Sequence, residues 1–593
     1  MSTGFDKLAE IHALIDAGEF QRAITELRTL IRKEPNVASW QGMMARASTA
    51  AGLHEQALVH ARRCTEMSPS HPTPWAELGN ALHHLGRFEE ARLAYTKGVE
   101  LSPTSVIASL GLADVLADMG RQGEAASRLE TAIRYIPGNE ALLGKYSMVL
   151  GKLAKMSDAL AAAESALVLY PKAWELAQCA CSAANYMVED PQRLFDIHAR
   201  FGKLFEYRGA NPPPRFERTT LNRPMRVGLV SADFRAHSVS HFVEPLLAHV
   251  DSKTCELVMF ITGPSDNVTK QLRSYGHVWH NYFQKPRSEL IAAIRNQQLD
   301  MLIDLSGHTR GGDSALLRAR TAPLQGNYCG YPNTLGLKSV DFRLVDEVTD
   351  PTGIADQFCV EKLIRIKGCF LCYSPRVESL GLRTDRIPGG PYTFGCFNAA
   401  RKMSDTFLQL CARVCEAAPD SQLLLKNLDF KDPECVTMIR DRALQAGIAP
   451  KQLILEGPST TPLEHLAKYQ AVDIALDTFP YSGTTTTCES LFMGVPTITL
   501  VGQSHPSRVS ASLLDAVGLD GCIAQSKDDF VKLALAWKNR TRDNADRAAL
   551  RQQMLASELC NGPLFATRFV DAIQGVWRER LVAQLSSTRA GHQ

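Results

Sequence analysis

The stretch VDIALDTFPYSGTTTTCES, residues 472–490, holds residue types at the spacing of an anion site. An apolar run closes at Leu476, a turn holding Pro480 and Gly483 follows, and a segment of helical pattern begins among Thr484, Thr485 and Thr486. Strand, loop and helix in that order leave a helix mouth whose first N–H groups lack intrahelical partners and whose dipole favours anions. Such a mouth seats a diphosphate, and the threonine hydroxyls add donors. Glu489, one turn on, is placed to accept from the two hydroxyls of a ribose. Threonine is also a good N-cap, so an over-long cap is the competing reading.

Three further stretches carry groups that this chemistry needs. SADFRAHSVSHF places Asp233, His237 and His241 after an apolar run. His237 suits proton removal from an acceptor hydroxyl, and His241, four residues on, shares a face with it if the segment is helical. Two histidines at that spacing also suit zinc, but no Glu stands between them in the zincin pattern, and capping or packing is the plain alternative. In DLSGHTRGGD, Gly307, Gly311 and Gly312 allow tight turns around His308 and Thr309, candidates to contact a sugar or acceptor in what is otherwise an ordinary strand-to-helix loop. In FNAARKMSD, Asn398 ends a strand and Lys402 precedes a cap at Ser404. An ammonium there meets a diphosphate held on the far helix mouth and offsets leaving-group charge without a metal; alone, it reads as a surface lysine.

The elements that must position these groups are legible from Arg226 onward, where short β-branched runs alternate with helical segments, the pattern of parallel sheets covered by helices. A first half has strands at Val227–Val230, Leu257–Ile261, Met301–Leu305, Gln325–Tyr328 and Phe342–Val345. A second, from about Tyr392, has them at Thr393–Phe397, Leu423–Leu425, Leu453–Glu456, Asp473–Leu476 and Thr497–Leu500. The expected domains are a first lobe at 225–385 and a second at 386–593, closed by C-terminal helices. A cleft between two such α/β units is a ligand site. Neither half opens on G-x-G-x-x-G, which counts against a dinucleotide cofactor, and the absence of D-x-D disfavours a metal-held nucleotide sugar.

The first 175 residues repeat with a period of 34. Pro35, Pro69, Pro103, Pro137 and Pro171 keep this frame, as do Gly18, Gly52, Gly86 and Gly120 with Ala154 in the fifth slot, and Ala23, Ala57, Ala91, Ala125 and Ala159. Each unit is a helix hairpin: the small residue is expected to let two helices approach at their turn, the alanine to sit where the axes are close, and the proline to stop the second helix. The array resembles the tetratricopeptide repeat and is expected to bind polypeptide in a concave groove; a spacer or a homo-oligomer contact is the alternative. Residues 176–224 are expected to be a helical cap followed by a Pro-rich linker, GANPPPRFERTTLNRPM.

Composition narrows the class. The 65 basic and 63 acidic side chains leave no nucleic-acid footprint. No apolar run spans a bilayer and no signal peptide opens the chain, so a cytoplasmic protein without membrane partners is expected. The 15 cysteines show no disulfide framework, and Cys369 and Cys372, although at CxxC spacing, lack a second pair and read as packed strand rather than a metal or redox site.

Taken together, the repeat array, RVGLVSADFRAHSVSHF, SGHT, CGYPNT, FGCFN with its lysine, DTFPYSGTTTTCESLFMGVP and GQSHPSRVSASLL resemble the O-GlcNAc transferase and SPINDLY family of protein O-glycosyltransferases. The resemblance implies a tetratricopeptide superhelix followed by a GT-B fold of two Rossmann-like domains, without the domain that animal members insert between the halves. The same resemblance makes the first lobe the acceptor side and the second the holder of the nucleotide sugar. It implies inverting, metal-independent transfer of one sugar to Ser or Thr of polypeptides. UDP-GlcNAc is the first choice of donor, with GDP-fucose or UDP-glucose behind it. It assigns Lys402 to the donor diphosphate, Gly483 and Thr484 to Thr486 to the phosphate-binding helix mouth, Glu489 to the ribose, and His465 to the neighbourhood of the base. Asn398 lies beside the donor segment, and His237 matches an active-site histidine. A peptide-binding scaffold with a vestigial nucleotide site is the non-enzymatic alternative.

Overall fold

The computed structural model describes residues 3–206, 212–217, 223–309, 311–540 and 543–590, so the expected linker falls in part, at 209–211 and 218–222, outside the described residues. The chain forms two compact units, one running to Pro171 and taking in Lys431–Cys435, the other holding the rest.

In the first unit five helix pairs repeat: Thr3–Asp16 with Phe20–Lys33, Ala38–Ala50 with His54–Met67, Pro72–His84 with Phe88–Leu101, Val106–Asp118 with Gln122–Tyr135, and Glu140–Lys152 with Met156–Leu169. Ala23, Ala57, Ala91, Ala125 and Ala159 are buried, as close-packed axes require. The prolines stand two residues beyond the end of each second helix. The small-residue slot has a different cause from the expected one. Around Gly18, Gly52 and Gly86 an added Cβ would meet nothing within 4 Å, so close approach is not what selects glycine. Their φ values of 74 to 78° are, for they sit at the left-handed C-cap where the next N–H turns back to the helix, as Glu19 does to the Leu14 carbonyl. Ala154 holds the same conformation at φ 60° with a Cβ. Relief of that strain, less the entropy glycine adds to the unfolded chain, makes Ala154→Gly stabilising by about 0.5–1 kcal/mol. A raised denaturation midpoint in urea checks this.

The second unit is built on two all-parallel sheets. The strands in chain order are β1 Met225–Ser231, β2 Cys255–Ile261, β3 Val278–Asn281, β4 Met301–Asp304, β5 Leu324–Asn327, β6 Phe342–Val345, β7 Lys362–Arg365, β8 Thr393–Cys396, β9 Gln422–Lys426, β10 Leu453–Glu456, β11 Ile474–Leu476, β12 Thr497–Leu500 and β13 Ile523–Ala524. The first lobe has order β3-β2-β1-β4-β5-β6-β7 and the second β10-β9-β8-β11-β12-β13. Both orders reverse direction once, at β1/β4 and at β8/β11, and such reversals open a crevice beyond the strands' carboxyl ends. β3, β7 and β13 are edge strands without a strong apolar signature, and periodicity misses them. β7 extends the first sheet beyond β6, inside the 225–385 expected for the first lobe.

Three helices belong elsewhere than the pattern suggested. Of the helices expected as a cap, Pro191–Glu206 buries Leu194, His198, Phe201 and Phe205, with His198 and Phe201 against first-lobe loops, and Trp174–Met187 bonds to the same lobe through Asn185. The approach is close enough that a Cβ on Gly202 would lie 1.6 Å from the Gly336 carbonyl oxygen. Helix Gly562–Ala590, expected with the second lobe, packs on helix Ser238–His249 of the first, with Phe569 edge-on to Tyr328 at 5.4 Å and Arg223 over Trp577 at 5.2 Å. An apolar helix face fixes that something covers it, not which sheet does.

Candidate active site

The β8/β11 reversal carries the residues expected on the donor side. Asn398 and Lys402 follow β8; Asp477, the loop to Gly483 and helix Thr485–Phe492 follow β11. Thr484 occupies the N-cap position but makes no side-chain cap bond, which removes the over-long-cap reading. The Thr485 hydroxyl is shut from solvent without a hydrogen-bond partner, an uncommon and costly state for a buried donor. The Thr486 hydroxyl donates to Asn398 Oδ1 at 2.5 Å and so faces its neighbour rather than the mouth. Lys402 Nζ donates to the Ser482 carbonyl at 2.7 Å and lies 4.1 Å from the centroid of the Tyr481 ring, so the ammonium is held on the loop entering the helix. Ser404 caps helix Asp405–Ala417 by accepting from Phe407 N and donates to the Phe479 carbonyl, tying the lysine turn to that loop.

Asp477 is the hub that the sequence reading passed over. Buried at the end of β11, its carboxylate accepts from Asn398 Nδ2 at 3.0 Å, Gly483 N at 2.6 Å, Thr478 N at 2.9 Å and Thr499 Oγ1 at 2.8 Å. An acidic residue closing an apolar run, ALDT, is the signal that marks it. Burial raises its pKa, while burial lowers the Lys402 ammonium to about 7 against the opposing pull of Asp477. Each shift runs against what a satisfied ion pair produces, so desolvation outweighs their mutual attraction. A further anion beside Lys402 would restore its charge.

Glu489 and His465 come together one turn deeper, with Nε2 to Oε2 at 3.4 Å. Behind them stands Lys426, the last residue of β9 and buried, its Nζ 3.4 Å from His465 Nδ1; no motif pointed to it. Burial lowers its pKa. If Lys426 donates to Nδ1, the ring proton sits on Nε2 and is directed at Glu489.

First-lobe residues lie across from these. His237 is the N-cap of helix Ser238–His249, not part of it, so it does not share a helical face with His241. Its Nδ1 accepts from Val239 N at 3.3 Å and is 3.8 Å from Asp233 Oδ2. With that lone pair engaged, the proton is on Nε2, and the ring offers a donor rather than a base. Burial lowers the His237 pKa against Asp233, and Arg235 and Arg401 lower it further, so Arg401 of the second lobe is near enough to act on it. His241 Nδ1 donates to the Ser374 carbonyl at 2.9 Å, and the ring stacks on Tyr373 and feels the charge of Glu489. His308 departs from expectation: it is buried, with Nδ1 3.5 Å from Gln178 Nε2 and Nε2 2.9 Å from the Leu335 carbonyl. Both nitrogens are spent on packing the loop, and burial lowers its pKa to about 4. Thr309 is exposed, its hydroxyl donating to the Ser306 carbonyl.

The lobes are latched beside the site by His505 Nδ1 with Asp350 Oδ2 at 2.5 Å, Arg508 Nε donating to the Val348 carbonyl, and Ser512 donating to Asp346. Cys369 and Cys372 are buried free thiols. Among the described residues no three His, Cys, Asp or Glu side chains gather as metal ligands, and no helix is long and apolar enough to cross a membrane.

Tetratricopeptide repeat families match residues 8–72 and 72–105. SPINDLY of Arabidopsis thaliana is 35% identical over 419 residues, 69% of this chain and 45% of that protein. SEC of the same plant is 28% identical over 356 residues, 58% of this chain and 35% of that protein. The chain thus spans less than half the length of these curated relatives. An O-GlcNAc transferase of Thermobaculum terrenum, solved as a lysine-to-methionine mutant, superposes with a TM-score of 0.78 at 25% identity, covering 86% of this chain and 98% of that one. The helical repeats followed by two parallel-sheet lobes are the expected repeat-plus-GT-B arrangement. Glycosyl transferase family 41 matches residues 210–376 and 380–570, across both lobes and every donor-side residue described above, and the chain belongs to that family.

Proposed function

We propose that this protein moves a single sugar, GlcNAc from UDP-GlcNAc in the first instance, to Ser or Thr hydroxyls of polypeptides that the repeats recruit. The observation carrying the reading is the placement of the Lys402 ammonium on the loop into a helix mouth whose Thr485 hydroxyl has no partner. A diphosphate there gains the open amides, that hydroxyl and the ammonium together. The acceptor oxygen attacks the anomeric carbon and the bond to the diphosphate breaks with its electron pair, inverting the centre. The acceptor proton goes to the Asp233 carboxylate on the first-lobe side of the cleft, beside which His237 stands with its Nε2–H as a donor. Lys402 and the helix mouth offset the charge that develops on the leaving group, the role a metal plays elsewhere. Glu489 holds the ribose and His465 borders the base, with Asn398 bracing Thr486. The donor choice draws on relatives named "Probable UDP-N-acetylglucosamine--peptide N-acetylglucosaminyltransferase".

A panel of labelled UDP- and GDP-sugars incubated with the protein and cell extract, read by mass spectrometry, tests this. Label on Ser or Thr from UDP-GlcNAc is expected. Label from GDP-fucose alone would replace the donor, and no label from any donor would leave a nucleotide-binding scaffold.

A further inference from the structure

Helix Trp174–Met187 touches both lobes at the cleft. Toward the first lobe, Asn185 donates to the Tyr331 hydroxyl at 2.8 Å and accepts from Asn333 at 2.9 Å. Toward the second, Tyr186 stacks on Tyr481 with ring centroids 4.7 Å apart and planes at 14°. Its hydroxyl accepts from Arg401 Nε at 3.0 Å, and the Arg401 guanidinium carbon lies 5.7 Å from its ring centroid. Tyr481 is the ring against which the Lys402 ammonium rests, and Arg401 is the residue before Lys402 in the chain. One side chain therefore grips both structures that bound the lysine: the aromatic surface beside its Nζ and the backbone turn that carries it. Just beyond the helix, Glu189 accepts from Thr406 at 3.0 Å and fastens the next turn of the same segment.

We propose that Tyr186 is a positioning residue for Lys402, holding the ammonium at the helix mouth and away from water through Tyr481 and Arg401. This rests on the reading of Lys402 as the donor-diphosphate residue, yet the contact itself is testable without any sugar transfer. The groups facing the Lys402 amine are Asp477, Arg401, Cys396, the Tyr481 ring and the Ser482 carbonyl. Without the Tyr186 ring, Tyr481 loses its stacking partner and Arg401 its hydroxyl, so water reaches Nζ and favours the charged form.

The intact chain is treated with acetic anhydride across a pH series, and acetylation of Lys402 is followed by peptide mass spectrometry. The wild-type amine is expected to titrate at about 7. In Tyr186→Ala the midpoint is expected to rise by about one pH unit or more as hydration returns. Tyr186→Phe, which keeps the ring and loses only the hydroxyl, is expected to stay close to wild type. Circular dichroism checks folding, and Tyr186→Leu carries the same expectation as alanine should the smaller residue fail to fold. A wild-type midpoint in Tyr186→Ala or Tyr186→Leu overturns the proposal. With the donor identified, Tyr186→Ala is expected to lower kcat about tenfold with little change in donor KM, because a misplaced lysine fails chiefly when charge develops on the leaving group. An unchanged kcat also overturns it. Failure of wild-type transfer, or full activity in Lys402→Ala, would remove the proposed function while the titration still decides the role of Tyr186.

Discussion

Lys402→Ala is expected to reduce sugar transfer by about 10²–10³-fold or more, with the fold intact, because one preorganised donor at a site of developing charge supplies that much. The ammonium hydrogen-bonds a backbone carbonyl and, among the described residues, has no carboxylate at ion-pair distance, and Asp477 keeps its own hydrogen bonds without it. Burial already disfavours its charge, which sets the sign of two pH effects. For stability, a lysine whose folded pKa lies below its unfolded one opposes folding below about 7, and the penalty fades as pH rises through the window up to the unfolded value. For catalysis, the free enzyme loses the ammonium above about 7, so kcat/KM for the donor is expected to fall there, and the limb should vanish in Lys402→Ala. Steady-state kinetics on both proteins from pH 6 to 9 check this; unchanged turnover in the variant would defeat the assignment.

Asp477→Ala is expected to damage fold and activity together. The substitution leaves the Gly483 N–H, the Asn398 amide and the Thr499 hydroxyl without their acceptor and strips the charge that favours protonated Lys402. Breaking a buried charged network of this kind costs about 3–5 kcal/mol. Asp477→Asn separates the two effects. It retains the shape and one carbonyl acceptor, so most of the stability should remain. The Lys402 pKa should fall further, moving the alkaline limb of kcat/KM to lower pH. Thermal unfolding together with the pH profile distinguishes the outcomes, and an unshifted limb in Asp477→Asn would show that the carboxylate does not act on the lysine.

Much of the candidate donor site was legible because its elements are local. A strand, a turn and a threonine-rich helix start lie within twenty residues, and the reversal between β8 and β11 necessarily brings the FNAARK turn beside them. The acceptor side was less so. His308 carries a suggestive sequence context, SGHT, yet its ring is spent on Gln178 and Leu335, a partnership set by a helix 130 residues upstream. His237 sits where expected, but its tautomer depends on whether the helix begins at Ser238 or before it.

The sequence by itself determined the repeat period, the two doubly wound lobes and the strand, turn and helix mouth of the candidate site, since each follows from spacing along a continuous stretch: a period of 34, alternating strand and helix patterns, a helix mouth. Only the tertiary structure decided that Asp477 is the hub, that Lys426 stands behind His465, that the last helix returns to the first lobe, and that Tyr186 reaches Lys402. These depend on contacts between residues far apart in the chain, in the last case those of Tyr186 with Tyr481 and Arg401, which flank Lys402. An apolar face or a buried charge fixes the need for a partner, and the packing of the whole unit chooses which one it gets.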